Sequence, residues 1–258
     1  MEVSYSQAVR IAHFFEFTNE TLVLSFFQGQ MGRAWTDSLE KPTCARIVTH
    51  DFCFFAGDSL TKAARELVQN VFLDTQKNYL IMMPQDEAWG SLIEFCYDGK
   101  YNKTMRYAMK KEADCFDRVK LQQIVDRMSP EFSIEPLDGH LYQESLKDNF
   151  SRGLCANFDS EQDYLARGIG FVAFYGEEAV AGASSYSVYD GGIEIQVGTK
   201  PEFRRQGLAL ACSAQLILAC LSRGLYPSWD AQNKASVILA ERLGYHFDFE
   251  YMAYEVMA

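Results

Sequence analysis

Apolar and polar positions divide the chain into two unlike halves. In the first half, helical and strand periods alternate. The spacing predicts helices over 6–17 and 20–28. RIVTHDFCFFA, residues 46–56, predicts one strand, closed by Gly57-Asp58. An amphipathic helix is expected over 60–72, a short buried strand over 79–83 and a helix over 86–97. A strand over 101–109 and a helix over 117–128 follow. MSPEFSIEPLDG, residues 128–139, interrupts the pattern with two prolines and a glycine. It suggests two domains, 1–130 and 131–258.

The second half is clearer. Helices are expected over 141–146 and 160–167, the latter with Ser160 as cap and Gly168 as stop. Strands over 171–175, 179–189 and 193–199 read as an antiparallel meander, with Asp190-Gly191-Gly192 as a tight hairpin. LALACSAQLILACL, residues 208–221, then forms a helix that is apolar on nearly every face. A surface helix would show one apolar stripe, so this one must be covered all round. It is too short to span a bilayer and contains Ser213 and Gln215. Gly224 ends it, a strand covers 225–229, and Asn233 caps a helix through Leu243. Gly244 stops that helix, and 245–256 closes as one or two strands. The expected class is α+β, with a mixed, mostly antiparallel central sheet flanked by helices in the second half and an α/β arrangement in the first.

Composition narrows the function. The chain has 258 residues, 48% hydrophobic and 23% charged, which is ordinary globular usage. A net charge of −11 repels phosphate backbones, so no nucleic-acid partner is expected. The seven cysteines are odd in number and form no Cys-x-x-Cys, so they read as reduced thiols. Cys212 and Cys220 fall in the apolar helix as core filler. The four histidines are scattered, and no metal is expected. The first residues lack the basic start and cleavage site of a signal peptide. A cytoplasmic protein with no membrane partner is expected. Phe14, Phe15, Phe17, Phe54 and Phe55 read as core rather than as a ligand cage. Nothing in the sequence fixes the oligomeric state, and a homodimer is compatible with it.

The chemistry concentrates where the meander enters the apolar helix. The turn is Arg204-Arg205-Gln206-Gly207-Leu208-Ala209. First-turn N–H groups of a helix lack internal partners, and the helix dipole adds partial positive charge, so such an end attracts phosphate. Gly207 lets an anion approach the backbone, small Ala209 leaves room, and the arginines add charge-assisted contacts. An ordinary turn with solvated arginines would read the same in isolation. Other phosphate cradles fit badly: there is no G-x-x-x-x-G-K-[ST] and no G-x-G-x-x-G after a strand.

Arg204-x-x-Gly207-x-Ala209 resembles the acetyl-CoA signature Q/R-x-x-G-x-G/A of the GNAT acetyltransferase superfamily. WDAQNKASVILAERLGY, residues 229–245, resembles its second motif. IEIQVGTKPEFRRQGLA, followed by PSWDAQNKAS, is similar to the zwittermicin A resistance-type subfamily. The resemblance covers about 141–258, and extends more weakly over the first half, which is compatible with a degenerate GNAT-like unit without a second signature.

The resemblance implies an N-acetyltransferase that moves an acetyl group from acetyl-CoA to a primary amine of a small molecule, by direct attack in a ternary complex. Backbone groups of Val197 and Thr199 would pair with the pantetheine arm. Amides of Arg205, Gln206, Gly207, Leu208 and Ala209, with Arg204 nearby, would hold the pyrophosphate. Asn233 would reach the pantetheine or pyrophosphate region, and also reads as a helix cap. Glu194 is placed as general base, or is a solvent-facing strand carboxylate; alternation puts it on one face with Gln196. Asp230 is a second candidate base, or a turn residue. Ser236 would face the thiol end, or is a first-turn serine. One departure stands out: Ala240 occupies the position where many family members carry an acid tyrosine. Ser236, Tyr245 or water would substitute as proton source, or the acid is dispensable because thiolate is a good leaving group. The same departure keeps open a non-catalytic acyl-CoA sensor or ligand-sequestering protein.

Overall fold

A computed structural model describes residues 1–16 and 18–258. Phe17, named above among the aromatics and at the end of an expected helix, lies outside the described residues. The chain divides into two compact units, 1–106 with 250–258, and 107–249. The boundary read near residue 130 falls within the second unit.

The first unit opens with β1 (Glu2–Val3), two short 3-10 turns (Tyr5–Arg10 and Ala12–Phe14) and α1 (Thr21–Phe27). β2 (Arg33–Thr36), β3 (Cys44–Thr49) and β4 (Phe52–Gly57) form an antiparallel meander. The expected single strand over 46–56 is therefore two strands. His50 makes the turn between them at φ 51, without a glycine to signal it. The helix expected over 60–72 is also two: α2 (Lys62–Gln69) and α3 (Val71–Thr75). β5 (Tyr79–Pro84) then pairs parallel with β4. α4 (Glu87–Cys96) leads to β6 (Tyr101–Met109), which continues into the second unit. Trp89, Phe55, Val68, Leu80 and Met82 centre the core of the first unit.

The second unit contains α5 (Arg118–Asp126), β7 (Phe132–Pro136), α6 (Gly139–Ser145), α7 (Asn149–Arg152) and α8 (Glu161–Arg167). β7 runs through the proline-bearing segment read as a boundary. It is the edge strand of its sheet, where proline is tolerated. β8 (Gly170–Tyr175), β9 (Glu178–Tyr189) and β10 (Gly192–Thr199) form the expected meander. α9 (Leu208–Ser222) carries the chain over to β11 (Tyr226–Ser228), which pairs parallel with β10. β12 (Asp230–Ala231), α10 (Lys234–Leu243) and β13 (Phe247–Met257) complete the chain.

The apolar surface of α9 is explained by its neighbours. One side packs on β8, β9, β10 and β11, and α5 and α10 pack against it as well. Leu216 and Ile217 are fully buried, and each such side chain contributes about 1.5–3 kcal/mol. Among the described residues, no helix is long and apolar enough to cross a membrane.

β13 ends in the first unit, where Tyr254–Met257 pair with Tyr79–Met82 of β5. Both units therefore share a path: an antiparallel meander, a helical crossover into a parallel strand, and a further helix.

Candidate functional site

β10 is paired along its length on one side only. Its ladder with β9 runs from Gly192↔Tyr189 to Thr199↔Ala181. Its parallel ladder with β11 stops at Glu194↔Ser228. There β11 ends, and the chain turns through Trp229 into β12, which pairs with Ala108 and Tyr107 of β6. The edge of β10 from Ile195 to Thr199 is left outside the β11 ladder. At roughly 3.3 Å per residue, that edge is about 13 Å long. Val197 and Thr199 both lie on it. Thr199 Oγ1 is buried without a hydrogen-bond partner.

The basic turn begins where this edge ends. Arg204 is extended, and its Nε donates to the Thr199 carbonyl at 3.4 Å. Arg205 is left-handed at φ 66, a conformation that costs a non-glycine residue about 1–2 kcal/mol. Gly207 follows at φ 83 as the N-cap of α9, and its carbonyl accepts from Ala211 N at 3.0 Å. A glycine cap offers no side chain to the first-turn N–H groups. A Cβ added to Gly207 would meet nothing within 4 Å. Arg204, Arg205, Gln206 and Gly207 are exposed, Leu208 anchors the helix in the core, and Ala209 is half-buried. The structure thus brings together the free strand edge, two arginines and an uncapped helix N-terminus.

Glu194 stands in the last row of the β10–β11 ladder and is 9% exposed. Ser187 of β9 and Ser228 of β11 flank it, both buried. The Tyr189 and Ser228 hydroxyls are hydrogen-bonded at 2.8 Å. Burial pushes the Tyr189 phenol up to about 12; the Ser228 bond opposes that rise and the Glu194 charge adds to it. A register shift between Glu194 and Ile195 places the extra residue, Tyr186, on β9, so β10 keeps its alternation. Gln196, on the same face as Glu194, donates to the Gly153 carbonyl at 2.6 Å and to Ser184 Oγ at 3.2 Å.

The remaining candidates follow β11 in the chain. Asp230 is half-buried in β12. Asn233 caps α10, its Oδ1 accepting from Ser236 N at 3.0 Å. Ser236 Oγ accepts from the Trp229 indole at 3.1 Å. The buried Tyr245 phenol donates to the Pro227 carbonyl at 2.5 Å, and burial holds it well above its ordinary value. Ala240 is fully buried. Burial also pushes the Cys212 and Cys220 thiols up to about 12, which removes them as nucleophiles near neutral pH.

Sequence reasoning did not find Ser187, Tyr189 or Ser228. The one local signal was Tyr189 facing Gly192 across the hairpin. A Cβ on Gly192 would sit 2.2 Å from the Tyr189 hydroxyl, so the glycine leaves the phenol room to reach Ser228.

A family model for GNAT acetyltransferases matches residues 12–254. The uncharacterized N-acetyltransferase YdfB of Bacillus subtilis (strain 168) is 23% identical over 228 residues, spanning 86% of this chain and 85% of that protein. A crystal structure of a GCN5-related N-acetyltransferase-like protein from Streptococcus suis is 39% identical, with a TM-score of 0.90 over 98% of this chain and 99% of that one. A tandem GNAT protein from the clavulanic acid biosynthesis pathway shares the fold alone, at 10% identity and a TM-score of 0.60, covering 100% of this chain and 98% of that one. With the family model spanning both units, the chain belongs to the GNAT acetyltransferase family.

Proposed function

We propose that the 107–249 unit binds acetyl-CoA along the free edge of β10 and transfers its acetyl group to a primary amine of a small molecule. The observation that carries this reading is a coincidence at one end of β10: a strand edge that the β11 ladder leaves uncovered runs into a helix N-terminus with no side-chain cap. Backbone groups at Val197 and Thr199 pair with the pantetheine amides as an added strand would. Amides from Arg205 to Ala209 hold the pyrophosphate, and Arg204 and Arg205 supply charge-assisted contacts. The Asn233 amide nitrogen, not engaged in the cap, is available to the same ligand.

Direct attack needs a deprotonated amine and a polarised thioester carbonyl. Glu194, at the inner end of the free edge, accepts the amine proton. A peptide N–H near Val197 polarises the carbonyl. Asp230 and Ser236 flank the path of the chain leaving β11 and serve as amine- or thiol-side contacts. The narrower likeness to zwittermicin A resistance-type enzymes, with an antibiotic as acceptor, a cytoplasmic location and a homodimeric state, belongs to this proposal.

Calorimetry with acetyl-CoA tests the reading. A Kd in the micromolar range, about 8 kcal/mol, is expected. Absence of both binding heat and thermal shift would remove the site. A second reading, a non-catalytic acyl-CoA sensor, is favoured by one observation: Ala240 gives α10 no phenol at the usual acid position. Release of free CoA across a panel of primary amines separates the two. Tight acetyl-CoA binding with no turnover would select the sensor.

A further inference from the structure

The row that closes the β10–β11 ladder contains more hydrogen-bonding capacity than the protein uses. Ser187, Glu194 and Ser228 lie side by side across β9, β10 and β11, and Tyr189 reaches the same row over Gly192. Ser187 is fully buried, and its Oγ has no partner. The Tyr189 and Ser228 hydroxyls together have two protons, and their mutual 2.8 Å bond uses one. The other is left to give.

The location of this row fixes what it can meet. A pantetheine arm paired along Thr199 to Ile195 is directed from the basic turn toward the end of the ladder. Its sulfur therefore arrives beside the Glu194–Ser228 row. Of the other hydroxyls near this part of the fold, Tyr245 spends its proton on the Pro227 carbonyl, and Ser236 of α10, which accepts from the Trp229 indole, retains its own proton as the alternative donor.

We propose that the Tyr189–Ser228 hydroxyl pair donates a hydrogen bond to the sulfur that leaves during acetyl transfer, with Ser228 touching the sulfur and Tyr189 positioning Ser228. The inference rests on the acetyl-CoA reading given above. In the step, the amine nitrogen forms its bond to the thioester carbon while the C–S bond breaks, leaving its electron pair on sulfur. Glu194 takes the amine proton. The Ser228 O–H stabilises the thiolate without being transferred, and the proton on Glu194 then passes to sulfur or to solvent. The hydroxyl pair ends as it began, so a phenol too weakly acidic to protonate a thiolate still serves. Stabilisation of developing charge by a fixed donor is the general means by which acyl-transfer sites lower their barrier.

The titratable groups interacting with Tyr189 are Glu194 of β10, Cys220 of α9 and Tyr226 of β11; Tyr245 bonds to the Pro227 carbonyl next to Ser228, and Asp230 of β12 lies two residues beyond Ser228. Burial raises both Tyr226 and Tyr245, so neither phenol ionises in the range where an alkyl thiol titrates, near ~8.5.

The test needs no acceptor amine. CoA and S-ethyl-CoA are titrated calorimetrically into wild type, Tyr189→Phe and Ser228→Ala between about pH 6.5 and 10. S-ethyl-CoA has no ionisable sulfur and reports on fold and on the pyrophosphate and pantetheine contacts. In wild type, CoA affinity relative to S-ethyl-CoA is expected to rise with pH, placing the bound thiol about one unit below the free thiol, a tenfold effect. Each substitution is expected to remove most of that shift while leaving S-ethyl-CoA affinity within about twofold, well under the tenfold change of one pKa unit. An unshifted bound thiol, or a shift that persists in both variants, would overturn the inference and leave the acetyl-CoA reading intact. Failure of wild type to bind either ligand would overturn both.

Discussion

In the first unit, β4 feeds α2 through Gly57-Asp58-Ser59-Leu60-Thr61; in the second, β10 feeds α9 through Lys200 to Gly207. The path is the same and the chemistry is not. At the first crossover the glycine's backbone groups and the cap of α2 have protein partners. Gly57 N donates to Gln85 Oε1 at 3.0 Å, and its carbonyl accepts from the Trp89 indole at 2.8 Å. The Thr61 side chain caps α2 by accepting from Ala64 N at 3.0 Å. A Cβ on Gly57 would strike the Thr43 carbonyl at 2.5 Å. At the second crossover the cap is a glycine with open space beside it, and five residues of β10 have no β11 partner. The strands differ likewise: the β4–β5 ladder ends on Phe55, stacked on Trp89, whereas the β10–β11 ladder ends on a carboxylate. The first crossover is filled by side chains, and the second leaves its helix cap and strand edge uncovered.

Substitutions at matched positions would break this contrast if it is wrong. The largest expected effect is on turnover. Glu194→Gln should lower kcat by about 10²–10³-fold, the contribution of a positioned base, with acetyl-CoA affinity nearly unchanged; steady-state rates and calorimetry on one preparation check both. Equal loss of kcat and affinity would instead make Glu194 structural. Next comes Gly57→Ala. Left-handed strain and a backbone clash should cost about 3 kcal/mol in urea denaturation, without weakening acetyl-CoA binding by the folded protein.

Gly207→Ala should do the reverse. It should cost only about 1 kcal/mol of stability, from its positive φ, while weakening acetyl-CoA binding at least about tenfold. Thr61→Ala removes the cap that the second crossover lacks, and should cost about 1 kcal/mol with no effect on ligand. The smallest effect is acid-linked. The Arg33 hydrogen bond holds the Glu2 carboxyl below its ordinary value, and the Arg167 hydrogen bond does the same for Asp163. A lowered folded pKa means stability present above the unfolded value, near ~4, and lost as pH falls through the folded one. Glu2→Gln and Asp163→Asn should each cost a few tenths of a kcal/mol at neutral pH and nothing in strong acid, discounting for solvent. Salt should weaken the more exposed Glu2–Arg33 pair first.

The second crossover was legible because its signals are local. A glycine cap, paired arginines and a helix apolar all round lie within some twenty residues, and each has a direct physical meaning. The first unit was harder to read. Arg46 sits fully buried within what reads as an ordinary strand, its guanidinium over Trp35 and bonded to the Leu67 carbonyl and Asp74. The turn at His50 lacks a glycine, so β3 and β4 merged into one expected strand. Ser228, Ser187 and Tyr189 meet only through strand register, which no local window encodes. The division into units eluded the sequence for a similar reason: the last nine residues belong with the first 106.

That return of the chain governs the order of assembly. In the first unit β13 lies between β5 and β6. On a ribosome working at about 5–20 residues per second, β5 and β6 would wait roughly 10–30 s for residues 254–257. Throughout that interval the nascent first unit presents bare strand edges, the kind of surface that recruits neighbouring chains. Pairing of β13 covers the facing edges of β5 and β6 in one event and leaves β1 and β12 as the edges of the sheet.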